Sequence, residues 1–95
     1  MKKLTLIFAM LFAGFSASAQ QQVTGEVTDA QTGDPIPGVS IVVKGQQTIG
    51  TTSDVDGQYS IDVPSDAQTL VFSFVGMQTR EVAINGRTTI NVELQ

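Results

Sequence analysis

Gln58-Tyr59-Ser60-Ile61-Asp62-Val63 alternates polar and apolar side chains without a break. Successive side chains on a strand point to opposite faces, so this period of two sets Tyr59, Ile61 and Val63 on one face and Ser60 and Asp62 on the other. The run is also bracketed by turn chemistry. Asp54-Val55-Asp56-Gly57 precedes it, with Gly57 free to take the positive φ that closes a tight turn, and Pro64-Ser65-Asp66 ends it. A short alternating run between two turns is the unit of an antiparallel sandwich.

The same pattern extends in both directions. Toward the C-terminus, Thr69–Val75 is the most apolar run, with Leu70, Phe72 and Phe74 in one phase and Val71 and Val75 in the other, and is expected to be the most buried strand. Gln78–Ile84 follows, with Val82 and Ile84 inward. Asn85-Gly86 is a strong hairpin signal, and Thr88–Leu94 closes the set with Ile90, Val92 and Leu94 inward. Toward the N-terminus, Thr48–Ser53 is a Thr-rich strand, Gly45-Gln46-Gln47 a turn, and Val39–Lys44 an interior strand with Val39, Ile41 and Val43 in phase. Asp29–Gly38 is a loop, because Pro35 offers no N–H to a ladder. Gln22–Thr28 is the first strand, with Val23, Gly25 and Val27 in one phase. The expectation is an all-β, seven-stranded antiparallel sandwich.

Residues 1–19 read differently. Lys2 and Lys3 precede an apolar run from Leu4 to Phe15, which ends in Ala17-Ser18-Ala19, the three parts of a secretory signal peptide. The run falls short of the roughly 20 residues that span a bilayer. Cleavage before Gln20 is expected, leaving residues 20–95 as one exported domain. No Cys follows the apolar run, so a lipidated N-terminus is not expected.

Composition removes whole classes of function. Without Cys or His there is no Ser-His-Asp triad, thiol nucleophile, disulfide or imidazole-based zinc site. Beyond residue 19 three cations, Lys44, Arg80 and Arg87, stand against nine acids, a formal charge of −6. That balance disfavours nucleic acid, whose binding needs a basic stripe. Asp54-x-Asp56-Gly57 is the one candidate for a cation loop, but no acid closes its distal end, so a structural turn and no metal are expected. Asp62 and Asp66 flank a turn and make no credible carboxylate pair for hydrolysis. Tyr59, the only Tyr, shares the phase of Ile61 and Val63 and belongs to the core rather than to a sugar-stacking platform. Arg80 and Glu81, as neighbours on a strand, point to opposite faces and form no local pair.

Several segments together resemble a known family. Val23-Thr24-Gly25-Glu26-Val27-Thr28-Asp29 and Gly33-Asp34-Pro35-Ile36-Pro37-Gly38-Val39 are similar to the opening of carboxypeptidase-regulatory-like domains, and Val42-Val43-Lys44-Gly45 matches the strand ending that follows. Gly50-Thr51-Thr52-Ser53-Asp54-Val55-Asp56-Gly57-Gln58-Tyr59-Ser60-Ile61 resembles the family signature, with Ser53 where Thr is more usual. Leu70–Val82, with Met77 where Tyr or Phe is commoner, and Asn85–Val92 complete the likeness. Within that family the chain resembles the N-terminal extension of SusC/RagA-type TonB-linked outer-membrane receptors. The resemblance implies a transthyretin-like (Ig-like) sandwich and a non-catalytic accessory or interaction domain without cofactor, on the periplasmic side of a Gram-negative outer membrane. It further implies glycan or peptide uptake through a plug and barrel that these 95 residues do not contain. The chain is accordingly expected to be a fragment or truncated form, with envelope proteins as partners and membrane association only through the missing barrel. The alternative expectation is a free-standing periplasmic or surface binding module, for instance for carbohydrate.

Overall fold

The computed structural model describes residues 20–95, and the expected signal peptide lies outside them. Seven strands follow in order: β1 (Gln20–Asp29), β2 (Ser40–Val43), β3 (Gln46–Thr52), β4 (Gln58–Pro64), β5 (Thr69–Ser73), β6 (Arg80–Ala83) and β7 (Val92–Leu94). They form two sheets, β4-β1-β7 and β3-β2-β5-β6. The fold is an all-β sandwich, and its two inner faces meet in one core.

Alternation decides which side chains enter that core. Tyr59, Ile61 and Val63 of β4 are buried while Ser60 and Asp62 are exposed, and on β1 Val23 lies opposite Ile61 with Val27 buried farther along the strand. Ile41 and Val43 of β2 and Leu70 and Phe72 of β5 supply the other sheet. Phe72 packs edge-to-face on Tyr59, with ring centroids 5.5 Å apart, so this aromatic pair joins the sheets. Such a pair contributes about 0.5–1.5 kcal/mol beyond the area it buries.

Pairing is antiparallel throughout except between β1 and β7, which are parallel, with Val27 opposite Val92 and Asp29 opposite Leu94. The wholly antiparallel arrangement expected from alternation is corrected at this one pair. The reason is directional. β6 ends at the same end of the sandwich where β1 begins, so a chain that turns there and crosses to the other sheet must run alongside β1 in the same sense. For the same reason Asn85-Gly86 is not the tip of a hairpin. Asn85 (φ 50°) and Gly86 (φ 73°) form a tight turn closed by the Arg87 N–H donating to the Ile84 carbonyl at 2.9 Å, but β6 and β7 belong to different sheets.

Two strands are shorter than their apolar patterns. β5 stops at Ser73, and Phe74 and Val75 leave the sheet in a turn where Met77 N–H donates to the Phe74 carbonyl at 3.1 Å. Val75 is 91% exposed and Phe74 36%, so the expected inward place of Phe74 is corrected. β7 covers only Val92–Leu94 because the preceding residues are held to β1 by a different device. Ile90 N–H donates to the Thr24 carbonyl at 2.8 Å, and the side-chain oxygen of Asn91 accepts from Glu26 N–H at 3.0 Å. Ile90 can come this close because the residue beneath it is glycine: a Cβ on Gly25 would stand 1.8 Å from the Ile90 carbonyl oxygen.

Candidate functional site

Strand directions divide the molecule into two ends. β1 enters at one end and finishes at the other, where the loop 30–39, the turn 53–57 and the turn 74–79 gather. Gln95 leaves there too, its carbonyl accepting from Gln78 N–H at 2.6 Å, and Ala30 N–H donates to the Leu94 carbonyl at 2.9 Å. The opposite end carries Gln20, Lys44, Asp66 and the Asn85-Gly86 turn. The sequence motifs Asp54-x-Asp56-Gly57 and Asn85-Gly86 therefore sit at opposite ends and share no site.

The acidic turn is built around its own backbone. The Asp54 carboxylate accepts from the amides of Asp56 and Gln58, both at 2.9 Å, while Gly57 N–H donates to the Asp54 carbonyl and Asp54 N–H to that of Gln58. Gly57, at φ 76°, is buried against β1, where its carbonyl accepts from Val27 N–H at 2.8 Å. A Cβ there would lie 2.7 Å from the Val27 carbonyl oxygen and 2.8 Å from Pro35 Cβ. Among the described residues no three His, Cys, Asp or Glu side chains gather as a cation site.

Ser53, noted in the sequence only as a departure from the Thr usual at that place in the family signature, is the one buried polar residue among the described residues. Its hydroxyl donates to the Ile36 carbonyl at 2.7 Å and accepts from Val39 N–H at 2.9 Å. With the Gly38 N–H to Ser53 carbonyl bond at 3.0 Å, this ties the long loop to the end of β3. The buried role of Ser53 was not legible: the sequence shows a hydroxyl residue in the family signature just before the Asp54 turn, a type that readily satisfies local backbone groups.

Asp62 and Asp66 are both exposed, one on β4 and one in the turn that follows. Lys44 meets Glu81 at 2.9 Å with both side chains about half exposed, an ion pair of small energetic consequence. Arg80 has a definite partner across the sheets, since its guanidinium donates to the Glu93 carbonyl of β7 at 2.9 Å. Arg87 turns back on the end of β6 and donates to the carbonyls of Ile84 and Ala83.

An open groove with polar side chains runs across β1, β3 and β4, lined by Thr24, Glu26, Thr52, Asp54, Gln58 and Asn91. Its aromatic neighbour, Tyr59, is 4% exposed, and its hydroxyl donates to the Ile90 carbonyl at 2.7 Å. Burial pushes the Tyr59 hydroxyl up to about 12 from 10.0, against the opposing pull of the Arg87 charge. A ring held in this way presents no stacking face to a sugar.

A family model described as the CarboxypepD_reg-like domain matches residues 23–95. The chain belongs to the CarboxypepD_reg-like domain family. Among curated proteins, TonB-dependent receptor P3 of Formosa agariphila is 38% identical over 95 residues, covering 100% of this chain and 9% of the receptor. TonB-dependent receptor P39 of the same organism is 38% identical over 95 residues, covering 97% of this chain and 9% of the receptor. TonB-dependent receptor SusC of Bacteroides thetaiotaomicron is 32% identical over 89 residues, covering 94% of this chain and 9% of the receptor. This family domain thus corresponds to a small part of each receptor it resembles, and the likeness points to a place in the cell envelope.

Proposed function

We propose that residues 20–95 are a non-catalytic accessory domain of a TonB-dependent outer-membrane receptor, held on the periplasmic side and serving nutrient uptake, of glycans or peptides, through a plug and barrel. The observation that carries this reading is the near-complete match of the chain to small portions of several such receptors. The chemistry of the domain is in keeping with it. Its acidic turn spends the Asp54 carboxylate on its own backbone, and its one Tyr is locked in the core. Residues 1–19 deliver the domain as a signal peptide cut before Gln20, and the 95 residues are a fragment or truncated form of the whole receptor. Partners are the receptor's own plug and barrel and the uptake machinery of the envelope.

An antibody raised against residues 20–95 tests the reading in fractionated cells. The expected result is a polypeptide of receptor size in the outer membrane whose N-terminal peptide begins at Gln20. A soluble product no larger than the domain would overturn it in favour of the free-standing binding module.

A further inference from the structure

Exposed apolar side chains are distributed over this domain with a clear polarity. Among the described residues the exposed large hydrophobics are Val55 (80%), Phe74 (36%) and Val75 (91%). All three belong to the end of the sandwich by which the chain leaves. Phe74 reaches over Gly38, lying 3.6 Å from where a Cβ on it would stand, and Gly38 is hydrogen-bonded to Ser53, which opens the turn bearing Val55. Gly38, Ser73, Phe74 and Val75 line a shallow depression. The opposite end shows Gln20, Lys44, Asp66, Asn85 and Arg87 to solvent. Scattered exposed apolar residues need no explanation; a set confined to one end of a small domain does.

The chain's exit lies at that same end. Leu94 is buried, and the Gln95 carbonyl is hydrogen-bonded to Gln78, three residues after Val75, in the same turn. Any polypeptide that continues past position 95 therefore emerges beside Phe74 and Val75. The matched receptors are far longer than this domain, which accounts for 9% of their length. We propose that the Val55, Phe74 and Val75 end is an internal docking face, covered by the stretch of receptor chain immediately following Gln95, which holds the domain against the receptor body. This rests on the receptor reading above.

The test uses the full-length receptor carrying Val55→Ser and Val75→Ser, two changes at side chains exposed enough to leave the sandwich intact. Limited proteolysis of the stretch after position 95 is the readout, because cleavage follows the population of the undocked form. Loss of two apolar contacts is expected to speed that cleavage about tenfold, whereas Lys44→Ser with Asp66→Ser at the opposite end leaves it unchanged. A Val75→Cys receptor, otherwise free of cysteine in this domain, should cross-link to its own chain just beyond position 95. Unchanged cleavage would overturn the docking face, and so would cross-links to a second copy or to a separate protein. These failures arise in a receptor-sized polypeptide. If the antibody detects only a domain-sized product, it is the receptor reading that has failed.

Discussion

Gly57 concentrates more constraints than any other residue of the acidic turn. It holds a left-handed φ of 76°, its Cα faces the Val27 carbonyl, and Pro35 of the long loop closes over it. Replacement by Ala adds a Cβ 2.7 Å from a backbone oxygen and strains φ as well, so Gly57→Ala should cost at least about 3 kcal/mol of folding stability. Gly45 offers the matched comparison, with φ 84° and nothing within 4 Å of an added Cβ. Gly45→Ala should cost only about 1 kcal/mol, the conformational penalty alone. Urea unfolding of both variants checks this, and equal losses would contradict the packing described around the turn. The residue type was legible in the sequence as a turn glycine; its burial was not, because Val27 and Pro35 approach it from distant parts of the chain.

Elements are joined by polar contacts that alternation cannot report. The runs Gln58–Val63 and Thr69–Ser73 disclosed their buried faces through period two, since that pattern is set locally by the pleat. Their ends were less legible. Phe74 and Val75 continue the apolar phase of β5 past the point where its neighbours stop pairing, and Gly25 showed no sign that Ile90 would lie upon it. The same joint includes Tyr59, whose hydroxyl links β4 to the residues leading into β7. Its pKa is raised by burial from 10.0 to about 12 in the folded protein, so above pH 10 the unfolded chain loses this proton first. Stability from this group is complete below pH 10 and falls as pH rises toward 12, by about 1.4 kcal/mol per pH unit. Tyr59→Phe removes that slope, and at neutral pH it costs about 1–3 kcal/mol because the Ile90 carbonyl loses its donor. Denaturation at about pH 9 and about pH 11, below and within that window, should show the wild type losing about 1–2 kcal/mol more than the variant. Parallel losses would place the Tyr59 hydroxyl outside the core.

As a whole the molecule is a sandwich with its entry and exit at opposite ends, a polar end where Gln20 begins and an apolar end where Gln95 leaves. The sandwich class was legible in the sequence because turns and alternation recur together, and the family by the resemblance of its motifs, which fall largely on residues the fold uses: Gly25, Ser53, Asp54 and Gly57. The polarity of the two ends was not, since it depends on which sheet each strand joins. The crossing from β6 to β7 sends the exit to the end that bears Val55 and Val75. The proposed function threads such a domain between an export signal and a receptor body on the inner side of the outer membrane. Protease treatment of whole cells, followed with an antibody to residues 20–95, tests that placement most directly. The domain is expected to be untouched in intact cells and to be digested or released only once the outer membrane is opened. Removal of the domain from intact cells would contradict it.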